Sequence, residues 1–240
     1  LGHMGNFHYS VSQMLPNVKL IGVADTVAKN LSQVKLPKIQ KSNNYKDWID
    51  KVDAVIIAVP TKLHYKIAKD CLIHGKHVLL EKPLTKNLKE AEELFDIAKK
   101  NNLSLHVGHI ERFNGAVQEL KKIVNKPYLI ESQRIGPFSS RVQNDSVTLD
   151  LMIHDLDIIL DLVNSPVEEM NMIGSKIKTK TGDIAVVQLR FKNGVLANIV
   201  SSRVAQIKKR MMSVHQKDSF IQLDFSTQDI YIHSQTTDSV

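Results

Sequence analysis

At 240 residues, 42% hydrophobic and 24% charged, the sequence is long enough to bury a substantial core in one large domain or two small ones, and it reads as a soluble globular chain. Its one cysteine, Cys71, excludes a disulfide framework or a cysteine-based metal site and fits a reducing cytoplasm, while the longest apolar stretch, Leu149 to Val163, is broken by four aspartates and a histidine and is no membrane span. The net charge of +7 comes from lysines scattered singly and in pairs, which reads as a solvated surface with some attraction for anionic ligands rather than a nucleic-acid patch.

The chain opens on Gly2-His3-Met4-Gly5, followed at once by a helical pattern of Phe7, Val11 and Leu15. The spacing is that of the last two glycines of a Gly-x-Gly-x-x-Gly fingerprint, whose first glycine and preceding strand would lie outside the sequence. In that setting the stretch from Gly2 to Gly5 lets backbone and helix N-terminus approach a pyrophosphate, although two glycines also serve any turn. Val18 to Asp25 reads as a strand ending on a carboxylate about 20 residues beyond the glycines, where a dinucleotide fold places the acid for the adenosine ribose. Asp25 there favours NAD over NADP, because a carboxylate repels a 2′-phosphate. Polar, irregular chain from Lys35 to Asn44 leads to a short helix at Tyr45 to Ile49. A continuous apolar strand follows from Val52 to Val59, closed by Pro60 and Thr61.

A helix from about Lys62, carrying His64, ends at Gly75, which suits a left-handed cap. His77 to Leu80 has the length of a buried parallel strand, interrupted by Glu81-Lys82-Pro83. Lys82, extended because a proline follows, stands at the sheet edge where α/β folds bind ligands; from these residues alone a charged loop reads equally well. Asn87 and Glu90 have capping-box spacing before a helix with Leu88, Ala91, Leu94, Phe95 and Ala98 on one face. Leu103 to His109 is a further strand, Ile110 to Asn114 a polar crossover in which Glu111 is simply solvated, and Ala116 to Val124 a helix leading out of the first domain.

From Pro127 consecutive strands replace the alternation: Tyr128 to Ile135, Ile184 to Phe191, Val195 to Ser201 and Phe220 to Phe225, with Asn193-Gly194 as a hairpin turn. Between the first two lies a very apolar helix, from about Val147 to Val163, with Asp150, His154, Asp157 and Asp161 on one face. Asp161 reads as solvent stripe, and an Asp/His pair four residues apart lacks the further ligands of a zinc site, so no metal is expected.

The stretch Gly75 to Leu84, with its Glu-Lys-Pro, resembles the signature of the glucose-fructose oxidoreductase, inositol dehydrogenase and MocA family of nicotinamide-dependent sugar dehydrogenases. The glycine-bearing start, Ala58 to Thr61 with His64, and Asp150 with His154 and Asp157 resemble the same family, so the resemblance spans residues 2 to 157. Gly108 to Asn114 is similar to the branch that includes UDP-N-acetylglucosamine 3-dehydrogenases.

The resemblance implies an α/β Rossmann-type domain over residues 1–115, lacking its first strand. A second, α+β domain follows over 116–240, built on a mostly antiparallel sheet that packs beside the cofactor cleft, with its C-terminus incomplete. The implied cofactor contacts for NAD are Gly2, His3, Met4, Gly5, Asp25, Val59, Pro60, Thr61, His64, Glu81 and Lys82. The implied substrate contacts are Lys82, Arg112, Asn114, Asp150 and His154. Lys82, His154 and Asp150 are the catalytic set: an imidazole is a suitable base near neutral pH, Asp150 orients it or holds a neighbouring hydroxyl, and Lys82 steadies the reacting oxygen. The expected activity is NAD-dependent hydride transfer at a sugar ring carbon, of a UDP-N-acetylhexosamine first and of inositol or a free sugar second, in a cytoplasmic homodimer or homotetramer. A non-catalytic dinucleotide sensor is the alternative of another class, and the catalytic set argues against it. Neither a nucleic acid nor a membrane is expected as a partner.

Overall fold

The computed structural model describes residues 1–35, 39–139 and 145–234. The chain divides into two compact units, Leu1–Gly108 and His109–Val240.

The first unit alternates helices with parallel strands. After α1 (His3–Ser12), strands β1 (Gly22–Ala24) and β2 (Gln40–Ser42) pair in parallel, with α2 (Ala28–Ser32) between them in sequence. A second parallel sheet runs in the order β3 (Ala54–Ile57), β4 (His77–Leu80), β5 (Leu105–Val107), and α3 (His64–Ile73) and α4 (Leu88–Lys100) are the crossovers that parallel pairing demands. Helix α3 buries His64, Ala68, Cys71 and Leu72, the residues of one helical face, against a core that includes Ile57, Val78, Leu80 and Leu94. It stops where Gly75 takes φ +72°: the Gly75 N–H donates to Leu72 O at 3.1 Å and the Lys76 N–H to Cys71 O at 3.0 Å, which turns the chain straight into β4. Helix α4 starts where the Asn87 side chain accepts the Glu90 N–H at 3.0 Å.

Several expectations are corrected here. The strand foreseen from Val18 to Asp25 pairs only over β1, and the stretch read as irregular yields β2, whose Gln-Lys-Ser pairs through backbone alone and so carries no apolar signal; residues 36–38 of that stretch lie outside the described residues. The short helix near Tyr45 is two 3-10 turns, Tyr45–Asp47 and Ile49–Lys51. The apolar stripe of α1 does not face the core: Phe7 and Val11 are 55% and 52% exposed, and the inward side carries Gly5, His8 and Ser12 instead. Of the apolar face of α4, Leu94 and Ala98 are buried while Leu88 and Phe95 stay exposed.

The second unit is built on a seven-stranded sheet in the order β12-β11-β10-β6-β9-β8-β7. Its strands are β6 (Leu129–Ile135), β7 (Val167–Ser175), β8 (Ile184–Phe191), β9 (Leu196–Ser202), β10 (Lys209–Gln216), β11 (Ser219–Asp224) and β12 (Asp229–Ser234). Strands β7-β8-β9 and β10-β11-β12 are two antiparallel meanders, and β6 lies between them, parallel to β9 and antiparallel to β10. The hairpin expected at Asn193-Gly194 joins β8 to β9, closed by the Gly194 N–H on Phe191 O at 2.8 Å. Strands β7 and β10 were not foreseen. Every residue of β7 is exposed, and the Lys-Arg-Met-Met start of β10 hides an alternation in which only Met212 and Val214 are buried.

Helices α5 (Gly115–Ile123) and α6 (Ile153–Val163) supply one side of the core, with Val117, Leu120, Ile158 and Ile159 fully buried against Ile130, Ile199 and Val214 of the sheet. At roughly 1.5–3 kcal/mol for each large apolar side chain removed from water, this cluster holds α6 against the sheet. The helix expected from Val147 to Val163 is not uniform, for a π turn, Thr148–Met152, precedes α6. No helix among the described residues is long and apolar enough to cross a membrane.

Candidate functional site

Helix α1 begins at Gly2 with no capping side chain and no acidic residue in its first turn, so its leading N–H groups and the positive end of its dipole are left for an anion. A Cβ on Gly2 would meet no atom of the chain within 4 Å, and one on Gly5 would reach only Ala58 Cβ at 3.9 Å. The chain's own packing therefore does not demand these glycines. At the end of β1, Asp25 Oδ1 accepts the Val27 N–H at 2.8 Å and Oδ2 accepts Asn30 Nδ2 at 2.9 Å. An ionised acid at this position suits a ribose diol. These residues fit a dinucleotide.

The Lys82 turn is held from both flanks. Strand β4 is gripped near its tip by the Gly108 N–H on Leu80 O at 2.7 Å and the Glu81 N–H on Ile57 O at 3.0 Å. On one side of Lys82, the Glu81 carboxylate is buried and accepts from His8 Nε2 at 2.6 Å; Gly108 packs beneath it so closely that a Cβ there would stand 3.1 Å from the carboxylate. On the other side, His64 has Nδ1 2.7 Å from Pro83 O and Nε2 2.9 Å from Val59 O, with 1% of the residue exposed. The His64 and Glu81 side chains are both buried and engaged within the unit, where they fix the backbone around Lys82. Lys82 itself is half-buried, as are Val59 and Thr61, while Pro60 is exposed.

In the second unit, Asp150 lies in the π turn and His154 at the start of α6, both half-buried. The wider turn replaces the regular helical step assumed between them, and such turns occur often at functional sites. Arg112, in the 3-10 turn Ile110–Phe113, meets Asp157 through two bonds, Nε to Oδ2 at 2.6 Å and Nη2 to Oδ1 at 2.7 Å. Those bonds raise its pKa. Asn114 caps α5, accepting the Ala116 N–H at 3.1 Å, and donates to Phe225 O at 3.1 Å. Its amide is committed at both ends. Asp161 pairs with Lys121.

Sequence reasoning missed a buried ionic cluster below α6. Arg134, on β6 and 2% exposed, donates Nε and Nη2 to Asp155 Oδ1 at 3.0 and 2.8 Å and Nη1 to Glu111 Oε1 at 2.8 Å. Burial works against the guanidinium's charge, and Asp155 and Glu111 outweigh it, so its pKa is raised. Glu111 is therefore not a solvated loop residue. The available signal was a charged residue on each buried face: Arg134 in step with Ile130 and Ser132 along β6, and Asp155 in step with Ile158 and Ile159 on α6.

A second buried pair ties down the approach to the π turn. Asp183, wholly buried, accepts N–H groups from Ile177, Lys178 and Thr179 at 2.6–2.8 Å and Arg203 Nε at 2.9 Å. Arg203 Nη1 reaches Asp145 O at 2.6 Å, and the Val147 N–H donates to Gly182 O at 3.1 Å.

Two family models match the chain. Residues 1–109 match the oxidoreductase family with an NAD-binding Rossmann fold, and residues 115–221 match the GFO/IDH/MocA C-terminal domain. UDP-N-acetylglucosamine 3-dehydrogenase of Acidithiobacillus ferrooxidans is 31% identical over 242 residues, covering 100% of this chain and 77% of that protein. A solved structure of that enzyme superposes with a TM-score of 0.91 over 98% of this chain and 77% of the other. Myo-inositol 2-dehydrogenase of Thermotoga maritima is 30% identical over 225 residues, 85% of this chain and 67% of that protein. An NAD-binding protein from Listeria innocua, 25% identical, superposes with a TM-score of 0.88 over 100% of this chain and 75% of its own.

Proposed function

The chain belongs to the GFO/IDH/MocA family of oxidoreductases with an NAD-binding Rossmann fold, and from that premise we propose that it oxidises a ring hydroxyl of a UDP-N-acetylhexosamine, at C3. The observation that carries the substrate is the 31% identity to the UDP-N-acetylglucosamine enzyme along the whole chain. NAD, when bound, supplies the hydride acceptor of the reaction. Gly2 to Gly5 bind its pyrophosphate, Asp25 its ribose hydroxyls, and Val59, Pro60 and Thr61 line its path at the end of β3. Lys82 donates a hydrogen bond from Nζ to the reacting oxygen and opposes its growing negative charge. His154 removes the hydroxyl proton, with Asp150 orienting the imidazole or binding the neighbouring hydroxyl. Arg112, anchored by Asp157, offers positive charge to the nucleotide part of the substrate. Identity of 30% to a myo-inositol dehydrogenase supports inositol as the second reading.

Incubating the protein with NAD and a panel of UDP-sugars, free hexoses and inositols should give NADH with UDP-N-acetylhexosamines; turnover confined to inositols would sink the first reading in favour of the second. NADP in place of NAD should bind at least about tenfold more weakly, a difference of about 1.4 kcal/mol, because Asp25 repels a 2′-phosphate. Equal dissociation constants for the two cofactors would remove Asp25 from the ribose.

The helix-free face of the seven-stranded sheet, where Ile173, Leu196 and Tyr231 are exposed, is the proposed contact of a homodimer or homotetramer, to be read by sedimentation of the same sample. A single buried cysteine fits residence in a reducing cytoplasm.

A further inference from the structure

We propose that Arg134 is a positioning residue for His154, setting through Asp155 the rotation of α6 from which the base acts; this rests on the role given to His154 above. The starting point is an energetic anomaly. Arg134 and Asp155 are 2% and 0% exposed, and Glu111 brings a second carboxylate to the same guanidinium. Taking charges out of water costs several kcal/mol per ion, and apolar residues of equal volume are often as stable or more so. Stability therefore does not explain why charges stand at this point. What the cluster has that an apolar one lacks is direction.

The guanidinium is a rigid planar fork that keeps its charge. Two of its nitrogens close on Asp155 Oδ1 and the third group on Glu111 Oε1, while its Cζ stacks 4.7 Å from the centre of the Phe225 ring. Arg134 stands on β6, in register with Arg210 of β10 and Ser201 of β9, so the fork is anchored in the middle of the sheet rather than at an edge. Asp155 is the residue next to His154, in the first turn of α6, directly after the π turn that carries Asp150. Apolar contacts of Ile158, Ile159 and Val163 hold α6 against the sheet but tolerate small rotations. A guanidinium held in place by Glu111 and the Phe225 ring does not, since turning the helix draws Asp155 Oδ1 away from both nitrogens that close on it. The same 3-10 turn that supplies Glu111 supplies Arg112, whose two bonds to Asp157 brace the helix again two residues further on. A misplacement of 1 Å at a reacting group can cost about 10²-fold in rate, which is the scale on which such a brace matters.

The test compares Asp155→Asn, Arg134→Lys and Glu111→Gln with His154→Asn, using NAD and whichever compound of the panel the wild type turns over fastest. Each variant is checked by circular dichroism, melting temperature and NAD dissociation constant. Positioning predicts folded proteins with NAD affinity within about twofold, kcat lowered roughly 10- to 100-fold for Arg134→Lys and Asp155→Asn, KM nearly unchanged, and a smaller loss for Glu111→Gln. The kcat loss should persist at temperatures well below each variant's melting point. Wild-type kcat in folded Arg134→Lys and Asp155→Asn, or a loss that vanishes on cooling, overturns the proposal, and failure of all three variants to fold overturns it too, because the cluster then serves the fold alone. If His154→Asn is itself silent, the assignment of the base has failed instead, and the two failures are distinct.

Discussion

Asparagine in place of His154 should lower kcat by about 10² to 10⁴, the usual contribution of a positioned general base, with NAD affinity within a few-fold of wild type. The expectation follows from proton accounting: hydride leaves a carbinol carbon only as its hydroxyl proton leaves, and the imidazole is the side chain best suited to take a proton near neutral pH. Asparagine preserves size and polarity and removes the basicity, so a fall in kcat at constant KM isolates the proton-transfer role. Lys82→Met, which keeps the stem and removes the donor, should cost roughly 10²- to 10³-fold, the scale of losing one donor to a developing oxyanion. Steady-state kinetics across pH, with NAD titrations on both variants, read the outcome. Near wild-type kcat in either variant ends the assignment for that residue.

Arg203→Met should destabilise the second unit by roughly 3–5 kcal/mol, or roughly 6 to 20 °C in melting temperature, because it removes the guanidinium paired with the wholly buried Asp183. Acid should expose the same pair in the wild type. Burial pushes the Asp183 carboxyl up, but the Thr179 N–H and hydroxyl and the Lys178 and Ile177 N–H groups outweigh it and hold its pKa well below the carboxylate range. A pKa lower in the folded than in the unfolded chain gives stability that is complete above the unfolded value of about 3.9 and drains away as pH falls toward the folded value. Melting temperature should therefore drop below about pH 4, and Asp183→Asn should be less stable at pH 7 yet flatter in that window. A variant whose melting profile parallels the wild type from pH 7 to pH 2.5 would refute this.

Much of the architecture is written in short-range pattern. The apolar runs of β3 and β4, the cap at Gly75, the Asn87 cap and the Asn193-Gly194 hairpin are each fixed by neighbours a few residues away, which a linear reading can weigh. Strands β2 and β7 are not, because each pairs mainly through its backbone and its side chains report nothing about the partner. The same divide runs through the site. Gly2, Gly5, Asp25 and Lys82 stand out by spacing and by their place at strand ends, whereas the commitments of His64 to Pro83, His8 to Glu81 and Arg134 to Asp155 join residues far apart in the chain. Asn114 is instructive, for a polar residue in a polar run shows neither the helix it caps nor the Phe225 carbonyl it meets.

Because β6 lies between the two meanders, the first strand of the seven to be made is also the one that cannot be paired until the others exist. Its partners, Leu196 for Leu129 on one side and Val214 for Ile130 on the other, both come late in the chain. The meanders β7-β8-β9 and β10-β11-β12 close short loops and can zip early, while β6 must wait and pay a large loop-closure entropy on both edges at once, which places its docking at the slow, non-local end of folding. Until then Arg134 and the rest of its inward side remain in water, and the surface that will hold α6 is a pair of unjoined ribbons.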